Sequence, residues 1–343
     1  MKCSLVMLAS GCVLALTACS THRQDLAVSS GMEPLNGQTL AAARASIQHE
    51  VGKADTLRAE SLAPLTSAAA LIAQITRSPS ARSTTRRLAA ALSKARIGPD
   101  NAFGLASAGR SQYPSAGLTA LAGLAFLGAY QATGDPGDLS QAEMTATTLL
   151  QPQLGWQDTG AIAGVRSGRG KLSFDIAQTA MTALVLDDVG RYRQPGLIKS
   201  GDRGFRMIFD SQVAIGRWYS IRGSHVQMSA LQWGETLYAL QQSRLSEAKR
   251  IARAGIPAIA SAEFKRSGRP AADAASDPVG AAAAAAAIAS YPVPSIGEAV
   301  SSTILGSRRS DGTIALAAAA DDPAQAWFAL ALAQRLETIQ AAG

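Results

Sequence analysis

Apolar residues recur at the spacing of an α-helix along almost all of the chain beyond residue 37. Runs rich in Val, Ile, Thr and aromatic residues, which would indicate strands, are rare, and alanine-rich tracts such as 280–289 are long. Aromatic residues make up only 5% of the chain. We therefore predict an all-α fold. The predicted helices cover 38–52, 62–76, 81–95, 117–132, 138–151, 174–190, 195–211, 226–242, 246–262, 279–290, 295–306 and 322–340.

Short turn sequences join many of these helices in pairs. Connections of this length produce antiparallel helical hairpins. The sequence also predicts helix starts at Ser173 and at the carboxylates of Asp277 and Asp322, since a proline follows each aspartate at the first helical position. The turns that join hairpin partners lie at 134–137, 194–196 and 291–294.

The hairpins form a rough internal repeat. Their first helices start near 117, 174, 226, 279 and 322, so one step is about 50 residues long. Three helix ends, at 149–156, 208–218 and 304–314, run through a polar stretch into a glycine turn, and in two of them a tryptophan follows.

This rhythm resembles that of the α/α toroids, which include terpenoid cyclases, polysaccharide lyases, glycoside hydrolases and uronyl C5-epimerases. The resemblance spans roughly 110–340 and implies a full or incomplete ring of hairpins. A helical solenoid is the alternative, although the step is longer than the ~34 residues of tetratricopeptide repeats.

The first residues look like an export signal. Lys2 precedes an apolar stretch from Leu5 to Leu16, which is too short to span a membrane. The stretch ends in Leu16-Thr17-Ala18-Cys19, which resembles the lipobox of bacterial lipoprotein precursors. This resemblance implies that 1–18 are removed and that Cys19 carries the lipid that anchors the protein to a membrane.

Ser20 after the modified cysteine implies the outer membrane of a Gram-negative envelope, facing the periplasm. Residues 19–36 would then hold the lipidated cysteine and a polar, flexible tether. We expect 37–343 to form one all-helical domain.

Composition excludes several classes of chemistry. The only cysteines are Cys3, Cys12 and Cys19, so the mature chain has neither a disulfide nor a cysteine nucleophile. Neither HExxH nor G-x-S-x-G occurs, and no glycine loop for phosphate is present, so we predict no metal and no cofactor.

The net charge of +7 favours an anionic partner such as an acidic polysaccharide, whereas nucleic acid is a poor partner for an exported chain. Arginine-rich helix faces, for example at Arg82, Arg86 and Arg87, have a simpler interpretation as solvated surface.

One candidate binding loop runs from residue 155 to Asp175. Trp156 offers an aromatic platform for a sugar ring, and Asp158 and Arg169 can bind its hydroxyl or carboxylate groups. Asp175 is a candidate catalytic residue at the end of the loop. The alternative is that the tryptophan fills the core, the aspartate caps a turn and the arginine is solvated.

A second loop, from 216 to 227, leads into a helix with Glu235. Trp218 and Arg222 are predicted to bind substrate, while Tyr219, His225 and Glu235 are predicted to be catalytic. β-Elimination or C5-epimerisation of a uronic acid needs a set such as Tyr219, His225 and Arg222, since the proton removed lies next to a carboxylate whose charge must be neutralised. The order Gly, aromatic, Tyr, then His and Gln, is similar to that in glucuronyl C5-epimerases.

A hydrolase would instead need two carboxylates across a cleft. The candidates are Asp158, Asp175, Glu235 and the pair Asp187-Asp188, and the sequence favours no pair. A type II terpene cyclase is disfavoured, because the chain lacks that class's Asp-x-Asp-Asp acid.

Two functions remain open, and with them whether the chain is an enzyme. The first is a lipid-anchored envelope protein that binds or processes an acidic polysaccharide, as a lyase, epimerase or hydrolase if it is catalytic. The second is a non-catalytic scaffold or accessory subunit of a polysaccharide export or envelope assembly complex, which the total of four tryptophans favours. An enzyme should bring the candidate residues of both loops to one mouth of the ring, whereas a scaffold should scatter them.

Overall fold

The computed structural model contains twelve helices within the residues it describes, as the sequence predicts. The described residues are 32–97, 102–107, 110–151, 154, 155, 157, 160, 162, 163, 174–222, 225–264, 277–291, 294–316 and 323–342. The helices are α1 Met32–Val51, α2 Ala59–Thr76, α3 Pro79–Lys94, α4 Ala116–Thr133, α5 Pro136–Leu149, α6 Ile176–Gly190, α7 Pro195–Phe209, α8 Ala230–Gln242, α9 Ser246–Glu263, α10 Pro278–Ala289, α11 Pro294–Gly306 and α12 Pro323–Ala342.

The helices form two concentric rings. The even-numbered helices form the inner ring: each packs on the next, and α12 packs on α2 to close the circle. The odd-numbered helices form the outer ring, in which most lie against two neighbouring inner helices, as α3 does against α2 and α4. The chain therefore folds as a full ring of six hairpins, and the solenoid alternative is wrong.

Small, apolar residues place a helix in the inner ring. In α10, all residues from Gly280 to Ala289 are buried, whereas α3 turns its arginines outward and buries only one side. A Cβ atom on Gly234 of α8 would lie 2.7 Å from the backbone nitrogen of Ala284 in α10. Glycine and alanine thus allow these two helices to pack almost backbone to backbone.

The two ends of the toroid differ in their connections. The segments that lead into the inner helices, for instance 95–115 and 210–229, are 7 to 26 residues long, while those that leave them have only 2 to 4 residues. All long connections therefore lie at one end, which we call the mouth end. Loops that carry function are commonly gathered in this way on one face of a rigid scaffold.

The mouth end also contains two short hairpins that the sequence analysis did not predict. Strands of two to five residues are too short to show a clear alternating pattern. The strands are β1 Gly104–Ser107 and β2 Arg110–Pro114, which pair antiparallel, and β3 Ile162–Ala163 and β4 Phe174–Asp175, which do the same.

Most helix starts differ from the predictions by one to six residues, and three of them have a clear local cause. Helix α1 begins at Met32, so the last five residues of the predicted tether are helical, and Pro34 is compatible with the first turn of a helix. Helix α6 is capped by Asp175 rather than Ser173, because β4 occupies the residues before it. Helix α8 begins four residues late, where Ser229 and Gln232 form a capping box.

Asp277 caps α10 as predicted. Within the described residues, no helix is long and apolar enough to cross a membrane. The predicted signal 1–18, Cys19, most of the tether, Ser173 and the cap at Asp322 lie outside the described residues.

Candidate functional site

A cavity of about 610 Å³ opens at the mouth end, in the centre of the inner ring. The first turns of all six inner helices contribute to its wall, which is largely apolar. The lining includes Glu60, Ser115, Leu118, Leu121, Asp175, Gln178, Ser229, Leu231, Gln232, Glu235, Val279, Pro323 and Trp327. The ring therefore gathers residues that are far apart in sequence into one site.

Several polar side chains of this wall are engaged in capping helices. Ser115 accepts a hydrogen bond from the backbone nitrogen of Leu118 (3.2 Å) at the start of α4. Ser229 accepts one from the backbone nitrogen of Gln232 (3.2 Å), whose side-chain oxygen accepts one in return from the nitrogen of Ser229 (3.1 Å). These bonds hold the backbone of the mouth rigidly.

Asp175 is fixed in the wall by its role as the cap of α6. Its Oδ1 accepts a hydrogen bond from the backbone nitrogen of Gln178 (2.9 Å), and its Oδ2 accepts one from the side-chain nitrogen of the same residue (3.0 Å). Its backbone pairs with Ile162 on one side and Ile221 on the other. Burial raises the pKa of Asp175, while the bonds from Gln178 oppose the rise.

Glu235 differs from the other polar residues of the wall. It lies in the second turn of α8, is partly buried, and forms neither a hydrogen bond nor an ion pair with the described residues. Burial raises the pKa of Glu235 to about 8, and the charge of Asp175 adds to the rise. At neutral pH the carboxyl group is therefore largely protonated and able to donate a proton next to a second carboxyl group.

Solved structures with this arrangement of helices are known. An inactive variant of the α-1,6-mannanase GH76A of Salegentibacter sp. HEL1_6, in complex with α-1,6-mannotriose, has a TM-score of 0.63 and 12% identity, over 88% of this chain and 99% of that one. An unsaturated glucuronyl hydrolase specific for heparin has a TM-score of 0.59 and 13% identity, over 89% of this chain and 98% of that one. A single-residue variant of the type II terpene cyclase MstE of Scytonema, with bound geranylgeranyl dihydroxybenzoate, has a TM-score of 0.59 and 12% identity, over 89% of this chain and 99% of that one.

The chain is an α/α toroid. Its sequence matches no protein-family model and no curated protein. At this level of identity, the likeness shows the shared fold, and the chemistry has to be argued from the site itself.

Trp218 is part of the hydrophobic core. It is only 3% exposed, and its indole nitrogen donates a hydrogen bond to the carbonyl oxygen of Ile208 (2.9 Å) at the end of α7. It does not line the described part of the cavity. The side chain of Trp218 therefore packs in the core. A core position was the alternative interpretation that the sequence offered for Trp156.

Tyr219 and His225 lie at the mouth end but outside the described cavity lining. Their rings meet edge to face at 5.3 Å, and His225 is exposed. Ser220, which follows Tyr219, is attached to α6, because the backbone nitrogen of Ile176 donates a hydrogen bond to its carbonyl oxygen (3.1 Å). The loop therefore belongs to the rim of the mouth.

Arg222 points to the outer ring instead. Its Nη1 lies 2.7 Å from the sulfur of Met207 on α7. Of the substrate-binding residues predicted in the first loop, Trp156, Asp158 and Arg169 all lie outside the described residues.

Asp187 and Asp188 lie near the other end of α6, away from the mouth. Asp187 is fully buried and accepts hydrogen bonds from Arg191 (2.5 Å) and from Nε of Arg244 (3.0 Å). Asp188 lies 3.3 Å from Arg191, and burial raises its pKa to about 6. This pair belongs to an ion-pair network and does not line the cavity.

Gln178 and Trp327 also line the cavity, although nothing in the sequence singled them out. Gln178 positions Asp175, and its Oε1 also accepts a hydrogen bond from the backbone nitrogen of Gly117 (3.3 Å) in α4. Both lie in the first or second turn of an inner helix. This position predicts a place in the cavity lining once the inner helices have been identified.

Proposed function

We propose that the chain is a lipid-anchored envelope enzyme that cleaves a polysaccharide by acid–base catalysis in the mouth cavity. The observation that carries the proposal is Glu235, an unpaired carboxyl group with a pKa of about 8 beside the fixed carboxyl group of Asp175. Two proteins of the same fold, a mannanase and a glucuronyl hydrolase, are glycan-processing enzymes and support this choice of substrate.

In this mechanism Glu235 is the general acid. It protonates the oxygen of the glycosidic bond as the bond to the anomeric carbon breaks. Asp175, which Gln178 holds in place, faces the developing positive charge and accepts the proton of the attacking water. The apolar side chains of Leu118 and Val279 limit water in the cavity and thereby help to keep Glu235 protonated.

The described wall favours a neutral glycan over an acidic one. It contains the carboxyl groups of Glu60, Asp175 and Glu235 but no Lys, Arg or His among its described residues. Negative charge on the substrate would be repelled by an ionised Asp175. The same wall supports hydrolysis over β-elimination, since Tyr219 and His225 do not contribute to it.

The anchor is the part of the proposal that depends on the sequence alone. Leu16-Thr17-Ala18-Cys19 and the following Ser20 support lipidation and a place at the outer membrane, facing the periplasm. Incorporation of labelled palmitate into the wild-type chain, and its loss in Cys19→Ala, would test this. Wild-type protein without label would contradict it.

The catalytic proposal is tested with the chain from residue 20 onward, which retains every described residue. We would incubate it with neutral and acidic polysaccharides and follow new reducing ends, together with the ultraviolet absorbance of unsaturated products. We expect Glu235→Gln to lower the turnover rate by about 10³-fold, the usual scale for loss of a general acid. Glu337→Gln, which changes an exposed glutamate on α12, is the matched control.

Three other outcomes would contradict the proposal. Full activity in Glu235→Gln would contradict the assignment of Glu235 as the general acid. Unsaturated products that disappear in His225→Ala would establish a lyase. No binding and no turnover with any polysaccharide would favour the scaffold.

A further inference from the structure

A second surface of the toroid is built from arginines. Its members lie on α1, at the turn before α3 and on α3, and all are exposed: Arg44, Arg77, Arg82, Arg86 and Arg87. We call this the arginine wall. Arg44 and the start of α3 share a groove of about 210 Å³, and Gln48 donates a hydrogen bond to Thr84 across it (3.3 Å).

Four of these arginines have no carboxylate of the described residues within ion-pair distance, while Arg86 shares a second groove with Asp135 and Asp138 and its charge acts on Asp138. Their side chains form no ion pair with any described residue, and α3 contains no aspartate or glutamate. Elsewhere, Arg191, Arg193 and Arg244 are all paired with carboxylates. An excess of unpaired positive charge on neighbouring helices produces a field that attracts an anionic surface.

The arginine wall lies beside the point at which the chain enters the fold. Helix α1 ends at the mouth and so begins at the opposite end, where Arg77 and the start of α3 also lie. Residues 20–31 separate Cys19 from α1 and, fully extended, span at most about 40 Å. Helix α3 is about 24 Å long. A lipid on Cys19 would therefore hold this wall within reach of the bilayer.

We propose that the arginine wall docks on the anionic phospholipid headgroups of the membrane that holds the anchor. The toroid then lies on its side, and the mouth opens parallel to the bilayer rather than into it. Only the geometric part of this inference rests on lipidation of Cys19; the electrostatic part does not. Each basic residue close to an anionic bilayer contributes separately to such binding, and salt weakens it.

Vesicle binding tests the proposal with the unlipidated chain from residue 20 onward. The probes are vesicles of phosphatidylcholine with phosphatidylglycerol and vesicles of phosphatidylcholine alone. We expect binding to the first only, and we expect Arg82→Gln/Arg87→Gln to weaken it about tenfold or more. The matched control is Arg206→Gln/Arg253→Gln, which removes two exposed arginines from α7 and α9 and leaves the same net charge.

Equal losses in the two double variants would overturn the proposal, because net charge alone would then explain binding. It would also fail if the wild-type chain bound neither kind of vesicle, or if the arginine-wall variant kept its vesicle affinity and lost affinity for an acidic polysaccharide. Hydrolysis of a soluble glycan should be equal in all variants, and palmitate labelling of the full-length chain with the same substitutions should be unaffected. Failure of the docking proposal is thus distinct from failure of the enzymatic one.

Discussion

The toroid holds two acids in opposite ways at its two ends. Asp187, away from the mouth, is fully buried and held by Arg191 and Arg244. Glu235, at the mouth, forms no such bond with the described residues, and its pKa rises to about 8. Both were candidates for the same catalytic role in the sequence.

The difference shows what distinguishes a structural acid from a chemical one in this fold. The hydrogen bonds from two arginines occupy the carboxylate of Asp187, so this group holds helices together and is not open to a substrate. A buried carboxyl group without a partner stays protonated and is available to a substrate. Catalytic potential therefore depends on the lack of partners as much as on burial.

The largest effect on stability should come from Asp187. In Asp187→Asn, two arginines lose their buried counter-charge, and we expect the free energy of unfolding to fall by about 3 kcal/mol. Denaturant titration measures this loss. Glu247→Gln, which breaks the exposed pair with Arg250 (2.6 Å), should leave the unfolding midpoint unchanged. If both variants unfolded like the wild type, the network would have no structural role.

The same contrast explains how far the sequence could predict the molecule. All twelve helices were predictable, because outer helices such as α3 carry helical periodicity and inner ones such as α10 are runs of strong helix formers. The sequence also named Asp175 and Glu235 among the catalytic candidates, but it could not pair them, because they become neighbours only when α6 packs against α8. Ion pairing also depends on residues that are distant in sequence. Arg244, which donates to both carboxylate oxygens of Asp187, lies 57 residues away in the chain.

The two-residue strand β4 illustrates a smaller limit. Phe174 has helical spacing with the residues that follow, but its backbone pairs with Ala163 and its carbonyl oxygen accepts a hydrogen bond from the backbone nitrogen of Arg222 (2.9 Å), so it stays outside α6. Asp175 becomes the cap for that reason. A tertiary contact thus moved a helix start and, with it, the orientation of a candidate catalytic residue.

Glu235 should make stability depend on pH in a characteristic direction. Its pKa is raised from 4.5 in the unfolded chain to about 8 in the fold, so the native state binds the proton more tightly. The stability of the protein should therefore fall as pH rises from about 4.5 to 8, with a contribution from this group of up to about 1 kcal/mol per pH unit. The measurement is denaturant unfolding at several pH values.

Glu235→Gln should remove that contribution, while the raised pKa of Asp188, which does not depend on Glu235, remains in both proteins and cancels in the difference. Catalysis should decline above pH about 8, where Glu235 loses its proton. Parallel pH curves for the variant and the wild type would mean that Glu235 is not a buried acid.

Trp218 provides the smallest and most selective test, because its two interpretations predict different measurements. If Trp218 is a core residue, Trp218→Phe removes its hydrogen bond to Ile208. We then expect the free energy of unfolding to fall by about 1 kcal/mol and the KM for the glycan to stay unchanged. As a stacking platform it would instead raise KM and leave stability intact. Trp233→Phe is the control, since its longer bond to Gly216 (3.2 Å) and greater exposure should make the loss smaller. A raised KM confined to Trp218→Phe would extend the binding site beyond the described cavity and onto the rim that carries Tyr219 and His225.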